Sequence, residues 1–244
     1  MDTWPSDLIQ FLEENFDVFI GWCCISEQRS SVHSFETSLA EIGLILKKYS
    51  LIGYHCTKLT KGEISEILKS GMSLQNLETL SSRLEKLELE GIITKDMSEK
   101  LRANNQCNDN NRANMLWFCF YEPLLAGESG IMRFFQSWGG EALYNSHESN
   151  AVSGETLKNI GTPCVIKATV PLGSIPNFRL PWKEVIGRFL KNKGFKLDNS
   201  IDYAGYSTEP LSSECIVDVF EYPTEEFVKL TGCRDWHNKI NSAK

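Results

Sequence analysis

Tyr54-His55-Cys56-Thr57 brings an imidazole, a thiol and a hydroxyl together directly after the apolar run Leu51-Ile52-Gly53. In an extended strand successive side chains point to opposite faces, so His55 and Thr57 share one face and Cys56 takes the other. That geometry disfavours a thiol nucleophile activated by the adjacent histidine. It leaves His55 and Thr57 as two hydrogen-bonding groups at a strand-to-helix junction, a place where side chains face a cleft. The helix after them is signalled by Thr60 and Glu63, which form a T-x-x-E capping box. Ile64, Ile67 and Leu68 give it one apolar face, and Gly71 is placed to end it.

Three further groups of residues carry chemical potential. Trp117 and Phe118 lie in the aromatic run NMLWFCFYEP, a strand ended by proline. Gly139-Gly140 interrupts an apolar helix just before Glu141 and Tyr144; the break is either a corner between helices or a point where a ligand meets backbone, with Glu141 facing the cleft. Glu214 opens the β-like run ECIVDVF. Each has a plain structural reading as well: Trp117 and Phe118 as sheet core, Tyr144 as a packed ring with a bonded hydroxyl, Glu214 as a surface carboxylate.

The elements that must position these groups follow from periodicity. Residues 6–19 read as helix, and Phe35, Leu39, Ile42 and Leu46 mark a second one, separated from it by the polar stretch SEQRSSVHS. Leu77, Leu80, Leu84 and Leu87 form a stripe that stops at Gly91. NNQCNDNNRAN predicts an exposed, mobile loop. Beyond it, helices centred on Ile131, Phe134, Phe135 and Trp138 and on LPWKEVIGRFLKNKG alternate irregularly with the strands TPCVIKATVPL and SECIVDVFEYP. This is an α+β layout rather than repeating βαβ. The expected organisation is an N-terminal helical extension over residues 1–50 and a main domain over 51–244.

Composition narrows the function. A net charge of −7 argues against broad electrostatic binding of nucleic acid, while a local basic cluster such as Lys191, Lys193 and Lys196 can still meet phosphate or an acidic partner. The start is acidic where a secretory leader needs a basic region, and VFIGWCCI is too short to span a bilayer. The eight cysteines contain no C-x-x-C, and the histidines lack metal-ligand spacing, so no metal is expected. Cys119, Cys164 and Cys215 lie in apolar runs and read as small buried hydrophobes. Reduced thiols and a cytoplasmic location are expected.

In chain order, His55-Cys56-Thr57, Trp117-Phe118 with the later Tyr144, and Glu214 opening its strand resemble the three motifs of ADP-ribosyltransferases of the histidine–aromatic–glutamate type, which include diphtheria-like toxins and poly(ADP-ribose) polymerases. The resemblance spans roughly residues 51 to 222. It departs from the family at Cys56, where the family has glycine, and at Trp117, where tyrosine is common. Ser212 replaces the acidic residue of the arginine-specific branch. The resemblance implies a split mixed or antiparallel sheet surrounded by helices and NAD as donor substrate. His55, Cys56, Thr57, Trp117, Phe118 and Tyr144 would bind NAD, and Glu214 would stabilise positive charge on its ribose. The implied activity is mono-ADP-ribosyl transfer to a protein or nucleic-acid acceptor, in a toxin, effector or phage-defence setting with an antitoxin or regulatory partner. NAD hydrolysis and a binding module without turnover are the competing readings.

Overall fold

The computed structural model describes residues 3–23, 30–197 and 203–241. The order of elements begins with three helices, α1 (Ser6–Glu14), α2 (Phe16–Cys23) and α3 (Val32–Leu46), followed by β1 (Ser50–Leu59). Helices α4 (Lys61–Ser70), α5 (Leu77–Leu89) and α6 (Lys95–Ala103) lead to β2 (Leu116–Cys119). Next come α7 (Gly127–Gln136), α8 (Glu141–His147), α9 (Ser153–Asn159) and β3 (Thr162–Pro171). The chain finishes with α10 (Trp182–Asn192), β4 (Ala204–Ser207), β5 (Ile216–Glu221), α11 (Glu225–Thr231) and α12 (His237–Asn241).

The protein is α+β. The five strands among the described residues form one antiparallel sheet in the order β4-β2-β1-β3-β5. Alternation along the strands gives each face its own core. On one face Leu116, Phe118, Ile166, Ala168 and Val170 pack with Leu12 of α1, Phe19 of α2, Ile42 of α3 and Phe189 of α10. On the other, Val165 packs with Ile131 and Phe135 of α7, Phe227 of α11 and Ile240 of α12. A third cluster joins Leu80, Leu84 and Leu87 of α5 to Leu101, Trp138, Leu143 and Leu157. A sheet with two apolar faces requires such a cover on each side.

Several expectations change in detail. The first strand does not end at His55–Thr57 but runs on to Leu59, because β3 pairs with all ten of its residues. The helix expected over residues 6–19 is two helices, divided at Asn15. Helices α1, α2 and α3 share the core of the main sheet. Of the SEQRSSVHS stretch, residues 26–29 lie outside the described residues, and its last three residues belong to α3 rather than to the expected loop. The Asn-rich segment is tied down: Cys107 is buried, Gln106 N donates to Ala142 O at 2.8 Å and Asn114 N to Gln75 O at 2.7 Å. Of the three cysteines expected inside, Cys164 is buried, whereas Cys119 and Cys215 are half-buried. No described helix is long and apolar enough to cross a membrane.

Candidate active site

The site arises where two strands part. β1 pairs with β3 along its whole length but with β2 only at Tyr54↔Cys119. In an antiparallel ladder the main-chain groups of successive residues turn to alternate sides. Pro163 O accepts from Tyr222 N on the β5 side, and Pro163 stands opposite Lys58. Thus Thr57 and His55 spend their main-chain bonds on β3, while the N–H and C=O of Cys56 turn toward the gap left by β2. A cavity of about 830 Å³ fills that gap, lined by residues of β1, β2, α4, α5, α7 and α8. This volume is within the range of small-molecule and cofactor sites.

His55, Cys56, Thr57, Trp117 and Phe118 all line this cavity. His55 Nδ1 lies 2.8 Å from Trp117 O. A carbonyl only accepts, so the proton is on Nδ1 and Nε2 keeps an acceptor lone pair. Burial pushes the imidazolium below its ordinary range, the Trp117 carbonyl opposes this, and the charge of Arg83 adds to the lowering, so the ring is neutral at pH 7. The Cys56 thiol is pushed well up by its contact with the Cys119 side chain and by burial. It stays protonated, which is the wrong state for a nucleophile. Cys119 Sγ donates to Tyr54 O at 3.3 Å, next to the point where the strands part.

Glu63 anchors the opposite wall. Its carboxylate accepts from Arg83 Nε at 2.6 Å, Trp138 Nε1 at 2.9 Å and Thr60 N at 2.8 Å. Arg83 also lies over the Trp138 ring, 4.4 Å from its centroid. Burial would raise the Glu63 carboxyl, but Arg83, Thr60 and Trp138 together hold it below its ordinary range. With its acceptors occupied, Glu63 is a structural carboxylate that joins the start of α4 to α5. Sequence reasoning found its capping role, which depends on local spacing, and missed Arg83 and Trp138, which arrive from distant parts of the chain.

Glu141 is the first residue of α8, after Gly139 and Gly140 at φ of 85° and 60°. It lines the cavity, accepts from the Tyr144 hydroxyl at 3.2 Å and meets Arg112 Nη2 at 3.3 Å. These contacts fix the carboxylate and leave other lone pairs open. Arg112 also bonds Asp109 at 3.1 Å, yet its buried Nε has no partner among the described residues. A buried donor without a partner is a place where a ligand oxygen would be stabilised. Nothing in the sequence marks Arg112 beyond its place in an Asn-rich segment.

Two expected site residues stand elsewhere. Tyr144 is 3% exposed and outside the cavity wall. Its ring packs on Phe134 and under Arg133, so its link to the cavity is the bond it donates to Glu141. Glu214 sits in a short 3-10 turn before β5, exposed to solvent, and is also outside the cavity wall. In the sheet β3 separates β5 from β1, while residues 211–213 just before Glu214 pack on Gly71 and Met72 of the cavity wall. Of the two strands after β3, the one whose start reaches the cavity is β4, and its residue is Ala204.

Comparison with protein-family models, with curated proteins and with solved structures gives no match.

Proposed function

We propose that the cavity is an NAD site and that the protein transfers ADP-ribose from NAD to an acceptor, with Glu141 rather than Glu214 as its charge-stabilising carboxylate. The observation that carries this reading is the convergence of His55, Cys56, Thr57, Trp117 and Phe118 on one cavity of about 830 Å³. The neutral Nε2 of His55 would accept from a ribose hydroxyl, and the Thr57 hydroxyl would meet the second ribose. The Cys56 main chain would hold the carboxamide, with Trp117 as a flat face for the nicotinamide. The open Arg112 Nε suits a diphosphate oxygen. In the reaction the nicotinamide–ribose C–N bond breaks, nicotinamide leaves with the bonding pair, and positive charge spreads over C1 and the ring oxygen. The Glu141 carboxylate would stabilise that charge until the acceptor's lone pair bonds to C1 and its proton is lost to solvent.

A second reading is a nucleotide-binding module without turnover. Ala204 favours it, because the strand start facing the cavity carries a methyl group where the resemblance wants a carboxylate. Calorimetric titration with NAD tests what both readings share. We expect saturable binding, weakened about tenfold by His55→Ala through loss of one hydrogen bond to the ligand. An unaltered affinity in that variant, or no binding by the parent protein, contradicts the assignment.

A further inference from the structure

We propose that the surface built around Phe178, Arg179 and α10 docks single-stranded nucleic acid beside the cavity. The chain has a net charge of −7, yet residues 177–196 carry Arg179, Lys183, Arg188, Lys191, Lys193 and Lys196 against the single Glu184. That segment has a net charge of +5 and leaves the remainder of the chain at −12. Lys193 is held by Glu13 at 2.6 Å. Among the described residues, Arg179, Lys183 and Arg188 form no ion pair, and all three are exposed.

The basic groups are interleaved with rings. The Arg179 guanidinium lies 5.6 Å from the Trp117 centroid and 5.8 Å from those of Phe178 and Tyr206. Lys183 Nζ is 5.3 Å from the Trp182 centroid. Phe178 is 73% exposed, the second most exposed large hydrophobic residue described after Leu89 at 82%. The Tyr203 hydroxyl donates to Arg179 O, which fixes this turn to the chain entering β4. Cations that track phosphates, next to aromatic faces on which bases stack, are the physical elements of single-strand binding. An acidic protein would use the cations, whereas the three rings within 6 Å of Arg179 add the stacking faces that a single strand uses. Trp117 is shared with the cavity wall, so a strand lying over Arg179 ends at the cavity. The role of that strand as ADP-ribose acceptor rests on the NAD reading; the docking surface does not.

Fluorescence anisotropy with labelled single-stranded RNA and DNA of one sequence, about 10 nucleotides long, tests the proposal without NAD. We expect binding that weakens steeply between about 50 and 200 mM salt. Lys183→Glu combined with Arg188→Glu should weaken it at least about tenfold, and Phe178→Ala about tenfold through lost stacking. NAD titration of the same variants should match the parent protein, which separates failure of this surface from failure of the cavity assignment. The proposal is overturned by absence of oligonucleotide binding at low salt, by equal affinity for a labelled duplex of the same sequence, or by variants that bind as the parent does. Displacement by polyglutamate as effective as by unlabelled oligonucleotide, with Phe178→Ala unaltered, would assign the surface to an acidic protein instead.

Discussion

His55 and Lys58 stand three residues apart on β1 and show how burial sets protonation in this protein. His55 gives its Nδ1 proton to Trp117 O and is kept neutral mainly by desolvation. Lys58, 7% exposed, donates to Lys158 O and Gln136 O near the ends of α9 and α7, where carbonyl dipoles favour a cation. Burial still lowers its pKa from the ordinary 10.5 to about 8. The unfolded chain therefore holds one proton more than the folded chain between about pH 8 and 10.5, so this group makes stability rise with pH across that window. Other groups add slopes of their own, and the informative quantity is the difference between parent and Lys58→Met in urea denaturation. The parent should gain on the variant as pH rises from about 8 to 10.5; a pH-independent difference would contradict the assignment. The cavity-facing set at His55 and Thr57 was legible from strand alternation alone. Glu214 lies outside the cavity wall; a run of apolar residues after a glutamate marks a strand start and says nothing about which sheet edge that strand occupies.

At the scale of elements, α4 and α5 form a clamp whose centre is Glu63. The Thr60–Glu63 capping box was legible in the sequence, and the structure shows both of its bonds. The same carboxylate also pairs Arg83, with side chains 12% and 21% exposed. Glu63→Ala removes one cap bond and leaves a largely buried guanidinium without its partner. We expect a loss of about 3 kcal/mol of stability, from the usual cost of breaking a buried pair, measured by urea denaturation at neutral pH. A change below about 0.5 kcal/mol, the level of an ordinary surface substitution, would show that the pair is not a structural anchor. The depressed Glu63 pKa gives the sign with pH: this stabilisation is present above the ordinary carboxyl range and fades as pH falls through the folded value. β4 was missed in the sequence because Ala-Gly-Tyr-Ser has weak strand propensity. It becomes a strand by pairing all four residues with β2, an example of tertiary pairing overriding local preference.

For the whole molecule, the proposed function rests on where one sheet opens. Helical layers cover both faces, and the cavity lies at the break between β1 and β2. The α+β class was legible from irregular alternation of helical and strand patterns. The way N-terminal helices join the main core was not, because their amphipathic faces do not specify the surface they cover. Charge is divided in the same manner, with a basic rim beside an otherwise acidic protein. The most direct measurement is nicotinamide release from NAD by the parent protein, Glu141→Gln and Glu214→Gln, with binding followed in the same samples. The account predicts release by the parent and by Glu214→Gln within about twofold of each other, and a loss on the order of a hundredfold in Glu141→Gln with binding retained. Release that survives in Glu141→Gln and disappears in Glu214→Gln would contradict it, and binding without release by the parent, both alone and with cell lysate supplied as acceptor, would favour the module without turnover.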